Sequence, residues 1–206
     1  MKLFLVIGPE SSGNHLTSLV LKTMGCFWEE PQRLDEVADG VLKLKEVTDN
    51  PYLVLRRSVP HGHDMVNPPY IRSIFSSLGY KMYTILLQRE WMATMLSNYY
   101  HRSTNVEEAQ ETLRKAERHI AYHVSHGFCD PFFTLNTSAL MKDPEPVIKG
   151  LEYFTGLKWP DGVKYEDVVK DTDIGRHQLL LDEGFKSIDR MKHKKYITRP
   201  LPLVIR

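Results

Sequence analysis

Apolar residues follow two spacings along this chain, and the two alternate. Residues 2–7 (KLFLVI) are a continuous apolar run after one lysine, the pattern of a strand buried on both faces. Residues 8–13 (GPESSG) are turn chemistry. Leu16, Leu19, Val20 and Met24 then recur at helical spacing, which predicts a helix over 14–24 stopped by Gly25. The first unit is therefore strand, Gly-rich turn, helix.

The alternation continues. Residues 27–50 are mixed and acidic, and read as short helix and loop. A second strand is predicted over 52–55 (YLVL), ending before Arg56 and Arg57. Pro68 and Pro69 are expected to break the chain, with a helix over 70–78 closing at Gly79. Residues 81–87 (KMYTILL) read as a third strand and 90–100 as a helix. The clearest helix covers 106–124, where Val106, Ala109, Leu113, Ala116, Ile120 and Val124 make one apolar stripe. Thr104 or Asn105 can cap it and Gly127 ends it. A fourth strand is predicted at 132–135 (FFTL), and a helix over 145–155 that closes at Gly156. After Trp159 and Pro160 the pattern loosens into a polar, basic tail.

Strands alternating with helices predict an α/β fold, a three-layer sandwich with a mostly parallel central sheet, P-loop NTPase-like in its first unit. The chain reads as a single domain over 1–206, with 160–206 its least regular part. Sheets of this kind bind ligands at the carboxyl ends of their strands. Every candidate loop below falls there.

Composition narrows the chemistry. Of 206 residues, 42% are hydrophobic, which suffices for an ordinary core. Lys and Arg number 27 against 26 Asp and Glu, so the net charge of +1 gives no reason to expect nucleic acid. Any anion site has to be local. Cys26 and Cys129 lack metal-ligand spacing and suit a reducing compartment. The N-terminal apolar run is too short for a secretory leader, and no stretch reaches membrane-spanning length. The expectation is a soluble, cytoplasmic protein without a membrane partner.

The strongest chemical signal is Gly8-Pro9-Glu10-Ser11-Ser12-Gly13-Asn14-His15-Leu16-Thr17. Its glycines permit tight backbone turns, and successive N–H groups and a helix N-terminus then face one small volume suited to phosphate or sulfate. Hydroxyls of Ser11, Ser12 and Thr17 add donors. The spacing approaches G-x-x-x-x-G-K-[S/T], but Asn14 and His15 stand where Lys and Ser/Thr belong. The charge that reaches a terminal phosphate and the usual magnesium ligand are both missing. An anion cradle survives this comparison better than a nucleotide-hydrolysing site.

A second constellation follows the third strand. Arg89 stands at the strand end, and Ser97 lies eight residues on, about two helical turns. An Arg fork and a hydroxyl together suit another phosphate. Trp91, Tyr99 and Tyr100 could stack an adenine, line an acceptor pocket or pack the helix on the sheet.

In these residues the chain resembles the sulfotransferases that use 3′-phosphoadenosine 5′-phosphosulfate (PAPS). That family opens with a strand and a loop of the type P-K-S-G-T-T-W, similar to Pro9 through Leu16 here with one extra residue. It carries an Arg at a strand end with a Ser eight positions later, matched by Arg89 and Ser97. A third likeness joins Leu140-Met141-Lys142-Asp143-Pro144-Glu145 and Phe154-Thr155-Gly156-Leu157 to the family's Y-E-D-L-x-x-D-P segment and F-L-G-L helix end. The resemblance spans about residues 3–159. It implies that residues 11–17 (Ser11, Ser12, Gly13, Asn14, His15, Leu16, Thr17) hold the 5′-phosphosulfate, that Arg89 and Ser97 hold the 3′-phosphate, and that no metal is required. It also implies a small-molecule or glycan acceptor.

The chain departs from the family at three places. Counting back from Gly13, the family's loop lysine falls on Ser11. Ser58 stands at the usual catalytic His, within Arg56-Arg57-Ser58-Val59-Pro60. The C-terminal R-K-G motif has only Arg176 and the basic cluster at 192–195 as substitutes. The candidate catalytic residues are then His61 and His63 as base, with His15 and Arg57 meeting developing charge. Arg57 could alternatively pair with Asp64 or Glu90.

Two rival functions share the first strand and loop: a nucleotide-dependent small-molecule kinase with a degenerate loop, and a non-catalytic anion or nucleotide binder. Metal ligation by His61 and His63 beside Asp64 is weaker, because no further strong partner lies nearby, and His119 and His123, one turn apart, read better as a solvated or substrate-facing helical surface.

Overall fold

The structure is a computed structural model that describes residues 1–28, 50–60, 65–101 and 105–169. Its elements in chain order are β1 (Lys2–Pro9), α1 (Asn14–Thr23), β2 (Tyr52–Val59), α2 (Pro68–Ser77), β3 (Lys81–Gln88), α3 (Trp91–His101), α4 (Val106–Ser125), β4 (Phe132–Asn136), α5 (Thr137–Lys142), α6 (Pro144–Thr155) and α7 (Tyr165–Val168). The strands form one sheet in the order β2-β1-β3-β4. All three pairings are parallel, so the sheet among the described residues is wholly rather than mostly parallel.

Strand periodicity divides the core into two layers. On one face Phe4 and Val6 pack with Val20 and Leu21 of α1 and with Ile148 and Leu151 of α6. On the other, Leu3, Leu5 and Ile7 pack with Ile71 and Phe75 of α2 and Ala116 of α4. A run apolar at every position is what a central strand covered on both faces requires. This is the expected three-layer α/β sandwich. A smaller cluster of Met95, Leu96 and Tyr99 with Ala109 and Leu113 locks α3 to α4.

Three local expectations need correction. The second strand does not stop at Leu55 but runs to Val59, in register with β1 as far as Pro9. Its charged end is accommodated because Arg56 lies over the Trp28 ring, 5.8 Å from the centroid, and Arg57 is buried. Pro68 and Pro69 begin α2 instead of interrupting it. Asn67 caps that helix by accepting from the Tyr70 N–H, and proline in a first turn forfeits no helical hydrogen bond. Residues 137–142, read only as a connection, form α5 with Asn136 as its cap. Its single turn and a half is too short for helical periodicity to register.

Asn105 caps α4 through its side chain, as anticipated. No helix among the described residues is long and apolar enough to cross a membrane.

Candidate functional site

The loop between β1 and α1 leaves the sheet at the carboxyl end of its strand. Ser12 N–H donates to the Pro9 carbonyl at 3.1 Å, closing a β-turn over Pro9, Glu10, Ser11 and Ser12. Ser11, third in that turn, has φ of 68° and is the non-glycine residue with positive φ among those described. A type II turn demands this conformation at its third position, where Gly or Asn is usual.

Two glycines let the loop close. A Cβ on Gly8 would lie 2.3 Å from Ser12 Oγ and 2.7 Å from Leu87 Cβ. Gly13 has φ of 100°, and a Cβ there would meet Thr137 Cγ2 at 2.7 Å. Thr137 is itself anchored by its hydroxyl, which donates to the Gln88 carbonyl at 3.1 Å. The start of α5 therefore buttresses the loop from behind, a role no sequence motif announced.

α1 begins at Gly13 with no side-chain cap and no acidic residue in its first turn. Its first intrahelical bond runs from Thr17 N–H to the Gly13 carbonyl, so the amides of Asn14, His15 and Leu16 lie ahead of the helix's own hydrogen-bond ladder. Beside them Ser12 Oγ and Thr17 Oγ1 are buried and have no hydrogen-bond partner among the described residues. Buried hydroxyls without partners are uncommon in folded proteins. Helix-start amides with hydroxyls beside them are the kind of donors that can hold an oxyanion.

The predicted residues do not all contribute in the same way. Asn14 is buried, and its Nδ2 donates to the Pro9 carbonyl at 3.3 Å and to Ser58 Oγ at 3.4 Å. It ties the loop's entry to its exit and links both to β2. His15 is exposed, and its ring meets Trp28 edge-on at 5.3 Å. Leu16 packs on the α1-side core, leaving its backbone N–H to the cradle. Arg57 is 2% exposed and in register with Ile7, on the α2 and α4 face of the sheet. Arg56 and Ser58, of opposite parity, belong to the α1 face. His61, His63 and Asp64 lie outside the described residues, as do Arg176 and the basic cluster at 192–195.

Of the second constellation, Arg89 reaches the loop. Its Nη1 donates to the Ser11 carbonyl at 3.0 Å, across 78 positions of sequence. Ser97 lies in the buried stretch of α3 with Thr94 and Asn98. Thr94 is one turn before Ser97 and lines a cavity of about 590 Å³ that also touches Ser12, Arg89, Trp91 and Ile120. That volume is ordinary for a small-molecule site. Trp91 is thus at the cavity, whereas Tyr99 packs in the cluster between α3 and α4.

Among the described residues, no group of three His, Cys, Asp or Glu side chains is placed to hold a metal. His119 and His123 do adjoin, with ring centroids 4.5 Å apart. Nε2 of His119, however, is engaged with the Val66 carbonyl at 2.6 Å. Both cysteines are free and buried.

No protein-family model matches the chain, and no curated protein matches its sequence. Solved structures do resemble it. One is the sulfotransferase domain from the Synechococcus PCC 7002 olefin synthase, with a TM-score of 0.54 and 16% identity, covering 100% of this chain and 90% of that one. Another is mouse sulfotransferase SULT7A1 complexed with PAP, with a TM-score of 0.50 and 12% identity, covering 82% of this chain and 62% of that one. At such identities the likeness concerns architecture: this chain has a sulfotransferase-like α/β fold.

Proposed function

We propose that the chain binds PAPS and moves its sulfuryl group to a hydroxyl or amine of a small-molecule or glycan acceptor. The observation that carries this reading is the hydrogen bond from Arg89 to the Ser11 carbonyl, which supports taking the loop and the end of β3 as parts of one site. The PAP bound to the mouse sulfotransferase of similar fold is consistent with it.

In this reading the amides of Asn14, His15 and Leu16 and the hydroxyls of Ser12 and Thr17 hold the 5′-phosphosulfate. The uncapped helix start and the partnerless buried hydroxyls fit such a group. Arg89 and Ser97 hold the 3′-phosphate. The nucleoside is taken to lie in the cavity touching Ser12, Arg89 and Thr94; Ser97 is buried one turn beyond Thr94 and is not among the residues lining it. When bound, the cofactor supplies an activated sulfuryl group. Charge developing on the transferring oxygens meets fixed backbone donors, with His15, Arg56 and Arg57 as the nearby cationic candidates. His61 or His63 takes the acceptor's proton.

Titration with adenosine 3′,5′-bisphosphate in the absence of magnesium tests the reading. Binding is expected, with a preference over AMP that Arg89→Ala removes. Binding of magnesium-ATP with none of the bisphosphate would instead indicate the kinase alternative. A second reading, an anion binder without turnover, is favoured by one observation: neutral Asn14 occupies the P-loop lysine position and is committed to loop closure. It predicts bisphosphate binding with no transfer across a panel of phenol, alcohol, amine and sugar acceptors.

A further inference from the structure

The loop contains a contradiction that Arg89 resolves. Its turn requires a left-handed residue, yet that position is Ser11, with φ of 68°. A side chain disfavours this conformation, so some contact has to hold the peptide there. The peptide following Ser11 is fixed at both its ends. Its N–H, from Ser12, points inward to the Pro9 carbonyl at 3.1 Å. Its carbonyl points outward to Arg89 Nη1 at 3.0 Å. Rotating that peptide breaks both bonds and moves the amides that follow it.

We propose that Arg89 is a positioning residue for the loop, holding the Ser11 peptide in the orientation on which the oxyanion cradle depends. This role is additional to any contact with a 3′-phosphate. It makes the two halves of the site interdependent, because one guanidinium serves both. It also accounts for how a loop without its family's lysine retains a cation at its edge. That cation comes from the end of β3 instead of from the loop.

The role predicts a loss where simple phosphate contact predicts none. Arg89→Met and Arg89→Gln keep the side-chain stem and remove the guanidinium, so either one that folds serves the test. Their affinity for AMP, which has no 3′-phosphate, is expected to fall at least fivefold. Ser11→Gly in the same background, which removes the side-chain objection to positive φ, is expected to restore part of it. In Ser97→Ala, by contrast, the loss is expected to be larger for the bisphosphate than for AMP. Unchanged AMP affinity in the Arg89 variants, with loss confined to the bisphosphate, would overturn the positioning role and leave the proposed function standing.

The ligand arm rests on the bisphosphate reading, whereas hydrogen exchange of the full-length ligand-free protein does not. Faster exchange at the Ser12 amide in the Arg89 variants, slowed again by Ser11→Gly, is expected even if no adenine nucleotide binds. Unchanged exchange there would refute the proposal independently.

Discussion

The side-chain amide of Asn14 donates to the carbonyl of Pro9, 3.3 Å away, and so joins the first residue of α1 to the last of β1. The same nitrogen reaches Ser58 Oγ on β2 at 3.4 Å. A carbonyl can only accept, which fixes the amide's orientation. At the position where a P-loop lysine would carry charge, this chain carries a neutral clamp.

Asn14→Asp is therefore expected to be more damaging than Asn14→Ala. The alanine variant loses two long hydrogen bonds and should be destabilised by about 1 kcal/mol. The aspartate variant cannot donate to Pro9 and adds a buried negative charge beside the proposed anion cradle. Its affinity for inorganic sulfate or the bisphosphate should fall by roughly tenfold or more, the equivalent of about 1.4 kcal/mol. Calorimetric titration of both variants, with urea unfolding as the stability measure, checks the order. Equal loss of anion affinity in the two would remove the electrostatic part of the argument.

Gly13→Ala should be destabilising for two separable reasons. The backbone sits at φ of 100°, and the new methyl would approach Thr137 Cγ2 to 2.7 Å. Left-handed backbone alone costs on the order of 1 kcal/mol, and overpacking adds about 1–3 kcal/mol. Thr137→Ser removes the opposing methyl and keeps the hydroxyl that donates to Gln88. In that background the penalty of Gly13→Ala should shrink without vanishing. Urea midpoints of the two single variants and the double variant measure the coupling.

These residues also mark how far the sequence could be read. The strand–turn–helix start was legible because a central strand covered on both faces needs an apolar side chain at every position, as Leu3 to Ile7 supply. The place of Arg89 at the end of a strand was legible, but its bond to Ser11 was not, since nothing local encodes a contact across 78 positions. The end of β2 was misread because charge normally signals exposure. Arg57 is buried nonetheless, in register with Ile7 of β1. Thr137 escaped notice altogether. Its importance comes from standing 2.7 Å from a carbon that Gly13 does not have, an absence no sequence pattern displays.

The two thiols should be inert in the folded protein. Burial pushes Cys26 up to about 12 and Cys129 up to about 11, so neither is appreciably ionised near neutral pH. Because the thiolate is the reactive species, labelling by a maleimide or an aromatic disulfide should be negligible until denaturant is added. Two equivalents should then react together at the unfolding transition. Rapid labelling of either one in native buffer would mean that the α1-side or the α2-side core opens locally.

Stability should decline on mild acidification because of His123. Burial holds its imidazole below the usual value of 6.5, and the neighbouring His119 and His126 lower it further. Its ring lies 4.5 Å from His119, 5.3 Å from Tyr122 and 5.8 Å from Phe128, in the packed side of α4 where burial disfavours its charged form. In the unfolded chain the same imidazole protonates at the ordinary value, so below it the unfolded state binds more protons than the folded one. By linkage, its stabilising contribution is complete above about 6.5 and diminishes as pH falls through the lowered folded-state value. Thermal unfolding at pH 8, 7, 6 and 5.5 should show Tm level at the upper end and falling below. His123→Phe removes the titration while keeping a ring against Phe128, and its curve should be flatter over the same interval. A wild-type profile with no greater slope than the variant's would place the acid sensitivity elsewhere.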